Sequence, residues 1–178
     1  MGNRASAADS AKFAGGMATQ PCLCGRAGDA SGSCTCSVAD IERYRSRLSG
    51  PLADRIDLHA RVGAVAIAAL GAENREERSE LIRVRVAAAR ERQRGRYAGL
   101  QNIRTNADVA GRWLLAHGNV PIAARSLLER AAESLQLSAR GYHRTLRVAR
   151  TIADLDGCVE VVESAVLEAL RYRDSSRR

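Results

Sequence analysis

A chain of 178 residues with formal net charge +8, 46% apolar and only 3% aromatic residues can bury one modest core, or a small module beside a helical domain. Scarce rings leave Leu, Val, Ile and Ala to build that core. No apolar run approaches the ~20 residues that cross a bilayer, and nothing like a signal peptide follows Met1, so no membrane partner is expected and a cytoplasmic location is. The excess charge is arginine, Lys12 being the only lysine; it favours a polyanionic partner, nucleic acid first, although arginine-biased coding would give the same balance.

Residues 1–11 are small and polar and read as an arm. Lys12 to Gln20 has the length of a short strand, which Gly15-Gly16 weakens and Gln20-Pro21 ends. Cys22 to Cys36 is a loop rich in Gly, Ser and Asp. Ser37 is placed to cap a basic helix over about 38–48, which Ser49-Gly50-Pro51 breaks. A short helical turn carrying Arg55 follows, and alternation over Asp57 to Val65 predicts a strand. Residues 66–74 read as a linker.

From Arg75 to about Tyr97 the spacing predicts a long helix with eight arginines against four glutamates. Leu81, Val84 and Ala88, widened by Ile82, Val86 and Ala89, form its expected buried stripe; Gly95 and Gly99 end it. Thr105-Asn106 opens a short helix toward Trp113. Pro121 starts another, with Leu127, Ala131 and Leu135 on one face. Ser138 caps the next, where Tyr142, Leu146, Ala149 and Ala153 make the apolar stripe and Gly157 the stop. A last helix over about 159–172 packs Val159, Val162, Val166 and Leu170, and the tail beyond reads as frayed from Arg173.

Two features carry chemistry. Cys22-Leu23-Cys24 and Cys34-Thr35-Cys36 bring four thiols into fifteen residues. Zinc favours a closed tetrahedral shell of soft ligands, and Gly25, Gly28 and Gly32 let the loop fold back to pair the two halves. Metal-free thiols, or disulfides on oxidation, are the alternatives. A catalytic zinc is not expected, because such sites keep an open position and usually include His or a carboxylate. Cys158 reads as a small buried apolar residue, and His59, His117 and His143 as structural or surface residues. The second feature is an arc of Arg140, Arg144 and Arg147, opposite the Tyr142/Leu146 stripe of its helix. It is either a solvated basic face or one turned toward phosphate.

The stretch Leu48-Ser49-Gly50-Pro51-Leu52-Ala53-Asp54-Arg55-Ile56-Asp57-Leu58, the cysteines before it, and Leu137-Ser138-Ala139-Arg140-Gly141-Tyr142-His143-Arg144 after it resemble the C-terminal half of magnesium-chelatase-like AAA+ ATPases of the ComM/YifB group. The resemblance implies a mainly α chain. A small remnant of the AAA+ α/β core with the Cys-rich loop would span 12–65, a helical lid domain 75–173, and a tail 174–178. It places Arg55 at the arginine-finger position and Arg140 at sensor 2, roles that suit a planar, always-charged guanidinium. Gln20 falls at sensor 1, where the family carries asparagine. Asp54 and Asp57 read as partners for arginines.

The resemblance further implies ATP and Mg as cofactors, a homo-oligomeric ring, DNA as partner, and ATP-driven branch migration. A P-loop needs a lysine that reaches phosphate, and Lys12 precedes Phe13, so residues 1–178 are not expected to hydrolyse ATP alone. Nucleotide would be held by an N-terminal ATPase half or by neighbouring AAA+ subunits. The alternatives are a non-enzymatic, zinc-stabilised nucleic-acid-binding module, a magnesium chelatase subunit proper, and a relic without function.

Overall fold

In the computed structural model the described residues are 16, 18–28, 32–47, 56–60, 62–63 and 77–174, and the backbone divides into two compact units, Met1–Arg47 and Leu48–Arg178. Within the first, the cysteine loop leads into helix α1 (Val38–Ser46). As expected, Ser37 caps it: its Oγ accepts the Asp40 N–H at 3.2 Å, and the Asp40 carboxylate accepts the Ser37 N–H at 3.3 Å, the reciprocal arrangement that satisfies two orphan donors. α1 buries no residue completely.

The second unit holds α2 (Ser79–Arg96), α3 (Gly111–His117), α4 (Ile122–Ser134), α5 (Ala139–Leu155) and α6 (Glu163–Asp174). α5 is the hub, touching the other four, and α4 also packs on α6. The reason lies in its sequence. Leu146, Ala149 and Ala153 recur on one face and are fully buried, with Tyr142 half-buried beside them. The Ser138 hydroxyl accepts the Gly141 N–H at 3.0 Å to start the helix. Gly157, at φ +78°, ends it in a Schellman turn, with Cys158 N–H bonded to Ala153 O and Gly157 N–H to Asp154 O. Around α5 the core gathers Tyr97, Val109, Leu114, Ala124, Leu128, Val161, Ala165, Val166 and Ala169.

Along the same face runs a charged seam. Asp154 and Arg150 are fully buried. The Asp154 carboxylate accepts two hydrogen bonds from Arg96, at 2.8 and 2.5 Å, and one from Asn106 at 2.9 Å, and it pairs with Arg150 at 3.0 Å. Asn106 is held by Tyr97 Oη at 2.6 Å, Thr151 Oγ1 at 3.0 Å and Gln93 Oε1 at 3.2 Å. From its two terminal nitrogens Arg150 also donates to the carbonyls of Gly118, Cys158 and Val159, at 3.0, 2.8 and 2.8 Å, while its Nε is buried with no partner among the described residues. The seam thereby ties α2, the turn before α3, the end of α3 and the α5–α6 loop to α5.

Several expectations are corrected. In α2 the stripe is not buried: Leu81 is 59% and Val84 68% exposed, Ile82 and Val86 are also exposed, and only Ala89 and Gln93 pack inside. Contact with α5 comes through the C-terminal half of the helix, and no described residue covers its first turns. Residues 105–109 form a turn rather than a helix, because Asp108 accepts the N–H groups of Arg104 and Thr105 at 3.0 and 2.9 Å, an alternative to helical pairing. In α4, Ala124 and Leu128 are the fully buried pair, with Leu127, Ala131 and Leu135 packed partly against them.

α6 begins at Glu163, and its core face is Val166, Ala169 and Leu170 behind Val161; Val159 is 73% exposed and Val162 lies outside as well. Arg173 is buried and donates to Ile56 O at 3.2 Å, so it is not frayed. Cys158 is half-buried against the core. The expected strand over 57–65 is not one at its described residues. Their bonding goes elsewhere: His59 N–H to Tyr172 O at 3.0 Å, and Asp57 to Arg144. The described residues of 12–20 form no strand either; the rest of that stretch, the arm 1–11 and the linker 66–74 lie outside the described residues. Among the described residues no helix is long and apolar enough to cross a membrane.

Asp154→Ala strips both arginines of their buried counter-charge and is expected to cost about 3–5 kcal/mol in urea unfolding. Arg94→Ala, which breaks the exposed pair with Glu91, is expected to cost under ~0.5 kcal/mol. Equal effects of the two substitutions would refute the assignment of the seam as the second unit's main polar tie.

Candidate metal centre and arginine face

The two C-x-C pairs converge as the spacing predicts. The sulfurs of Cys22, Cys24, Cys34 and Cys36 all lie within 4.8 Å of one another, with Cys22 Sγ 3.3 Å from Cys24 Sγ and 3.8 Å from Cys34 Sγ, and Cys24 Sγ 3.5 Å from Cys34 Sγ. A tetrahedral shell with metal–sulfur arms of ~2.3 Å sets its sulfurs about 3.8 Å apart, so the cluster has the dimensions of a closed four-thiolate site.

Local backbone prepares it. Gly25 and Gly28 occupy φ +79° and +83°, conformations that glycine adopts without strain, and these let the chain turn back after Cys24. The Ala27 N–H donates to Cys22 Sγ at 3.3 Å, a contact that favours the thiolate. Gln20 lies against this turn: a Cβ on Gly25 would sit 3.3 Å from Gln20 Oε1.

Four adjacent thiols cannot all ionise freely, and their proton affinities are driven apart. Hydrogen bonds from the backbone of Arg26 and of Thr35, with one from the Cys22 side chain, hold the Cys24 thiol down at about 6. Cys36 is pushed up to about 11: a backbone hydrogen bond with Cys24 pulls it down, but the hydrogen bond to the Cys24 side chain, burial and the neighbouring Cys22 outweigh it. Cys34 is raised and Cys22 lowered in the same contest. The group can therefore hold a soft divalent metal such as zinc, which would supply the positive charge that lets all four stay thiolate.

The arginine arc on α5 is sorted by the fold. Arg144 pairs with Asp57 at 2.8 Å, as expected for that aspartate, and Arg147 Nε donates to Val109 O at 2.9 Å. Arg140, in the first turn of α5, is exposed and bonds to no described residue. Asp57 lies two residues after Arg55, and its partner Arg144 lies one turn along α5 from Arg140; Arg55 and Asp54 themselves lie outside the described residues. Sequence reasoning missed Arg96, Asn106, Arg150 and Asp154. The one available signal was Arg150 and Asp154 at i, i+4 beside the apolar stripe of α5.

Residues 76–173 match the family described as magnesium chelatase, subunit ChlI C-terminal, and residues 3–70 match magnesium chelatase, subunit ChlI. The chain is 38% identical over 168 residues to an uncharacterised protein of Mycobacterium tuberculosis (strain H37Rv), covering 94% of this chain and 33% of that one. It is 38% identical over 138 residues to the competence protein ComM of Haemophilus influenzae, covering 77% and 26%. With YifB of Escherichia coli K12 the figures are 33% over 147 residues, covering 80% and 27%. The chain thus spans a third or less of the length of these relatives.

In the metal-free chain, alkylation of Cys24 is expected to rise with pH through about 6 and then level off, because the thiolate is the nucleophile. Cys36 should keep gaining reactivity toward about 11. Peptide mapping after iodoacetamide treatment checks this, and equal labelling of the two at pH 7 would contradict it.

Proposed function

This chain belongs to the magnesium-chelatase-like family of ComM and YifB, matching its C-terminal portion, and on that premise we propose that it is the helical lid part of a ring-forming AAA+ ATPase that moves on DNA. In this reading it contributes arginines to a nucleotide whose phosphates another stretch of polypeptide cradles, and hydrolyses no ATP by itself. Arg140 serves as sensor 2 and Arg55 as the arginine finger, each stabilising charge that builds on the transferred phosphoryl group. The observation that carries the reading is the sorting of the α5 arc. Arg144 and Arg147 are spent on Asp57 and Val109, while Arg140, one turn before Arg144, is left exposed at the start of the helix.

The cysteine cluster adds a structural zinc to this reading. Its support is the sulfur spacing and the N–H donated to Cys22 Sγ; the metal closes the loop and takes no part in hydrolysis. The same feature supports a second reading, a zinc-stabilised module that binds nucleic acid through its arginines without ATP. The two readings differ in what Arg140 does.

The purified chain is expected to show no ATPase activity above buffer. Fused behind the N-terminal part of the Haemophilus influenzae ComM relative, in place of that protein's own matching quarter, it should support hydrolysis. Arg140→Ala in the fusion is expected to lower kcat about 10²–10³-fold, whereas Arg112→Ala, also exposed but on α3, should leave it unchanged. Full activity with Arg140→Ala would remove the nucleotide role. DNA binding by that variant, steeply weakened by salt, would then favour the module.

A further inference from the structure

Among the described residues of the first unit, Cys22 alone is buried. α1 has nine residues and none of them is in a core; Asp40, Ile41 and Tyr44 make a half-buried face and the rest is exposed. Helices this short are marginal in water, where ~12–15 residues are needed even for strong helix formers. The ring and charge contacts of α1 are surface ones: the Arg47 guanidinium lies 5.9 Å from the centre of the Tyr44 ring, and Arg43 3.8 Å from Asp40. They do not replace an apolar core.

What α1 does have is a start site fixed from outside. Cys36 directly precedes the Ser37 cap, whose side chain and backbone close the box with Asp40. The φ and ψ of Ser37 are therefore set on one side by the helix and on the other by wherever the Cys36 sulfur is held. In a thiol cluster with no ion, that sulfur is kept by weak S–H contacts among groups that compete for protons. Four metal–thiolate bonds would hold it firmly, and metal binding energy becomes folding energy in segments that lack a core.

We infer that a metal ion on Cys22, Cys24, Cys34 and Cys36 is what folds α1, so that the Arg43 and Arg47 edge of this helix is presented only by the metal-loaded chain. The inference rests on the zinc reading of the cluster and adds a consequence to it: the ion acts as a conformational switch for a helix beyond its own loop. The second unit has its own core and its own polar seam and does not depend on the ion.

Hydrogen exchange on the full 178-residue chain tests this, with zinc stripped by chelator and then restored to one equivalent, metal content being measured in the same samples. Amides of Val38–Ser46 should exchange at the unfolded rate without metal and at least about tenfold more slowly with it, while Ala139–Leu155 stays protected in both. Cys36→Ser should mimic the stripped state, and Cys158→Ser, outside the cluster, should not. If about one zinc binds and α1 is equally protected with and without it, the switch is wrong and the metal site stands. If the chain takes up no zinc, both fall.

Discussion

Asp154 carries a negative charge into a region shut off from water, and the second unit is organised around neutralising it. An isolated carboxylate would face a desolvation cost of several kcal/mol there, so its oxygens must be paired on every side. Arg96 comes from α2, Arg150 from one turn earlier in α5, and Asn106 from the turn before α3. Each partner is a residue the chain must bring from a different place. The need to pair one carboxylate therefore fixes where α2 crosses α5 and how the 105–109 turn lies. Burial draws the proton affinity of Arg150 down, while the hydrogen bond to Asp154 raises that of Arg96. Arg150 offsets that cost by donating to three backbone carbonyls, groups that would otherwise need partners of their own.

The first unit follows the opposite logic. With one buried residue among those described, it has almost no apolar area to remove from water, and small units without a core need a covalent or metal staple. Thiols suit the task because their protons are lost to a metal. Backbone hydrogen bonds hold Cys24 down near 6, while contact with Cys24 and Cys22 and burial push Cys36 up to about 11, and a cation among the sulfurs would favour the thiolate of all four. The two units thus meet one problem, clustered ionisable groups, differently: the helical unit supplies arginines to a carboxylate, and the loop gathers four sulfurs that could hold a metal.

What could be read from the residues follows from which forces are local. Caps are local, so Ser37, Ser138 and Gly157 were legible, and so was the α5 stripe, whose period repeats over about three turns. The C-x-C spacing announced its own convergence. The apolar stripe of α2 was misread because periodicity reports which residues share a face, not whether another element covers it. The 57–65 strand was misread because alternation does not say where the N–H groups go; here the His59 N–H bonds to the end of α6, and the described residues of the stretch form no strand. Apart from the i, i+4 spacing of Arg150 and Asp154, the charged seam was invisible for a related reason. Arg96, Asn106 and Asp154 are 10 to 58 residues apart, and no pattern in sequence marks a pairing made only by the packing of helices.

The same seam bears on how the arginines should be divided between structure and chemistry. A chain with so many guanidinium groups offers no way to choose among them by composition, and an arc of three on one helix looks uniform in sequence. Packing breaks the uniformity. Arg147 and Arg150 are consumed by backbone carbonyls, and Arg96 by a carboxylate. Arg144 holds the segment that follows Arg55 against α5 through Asp57, with Arg173 and Tyr172 gripping the same segment from α6. Arg140, one turn before Arg144, takes no part in this clamp and bonds to no described residue. Packing thus separates one exposed guanidinium, in the first turn of α5, from two on the same arc that hold other segments of the chain in place, Arg144 through a carboxylate and Arg147 through a backbone carbonyl.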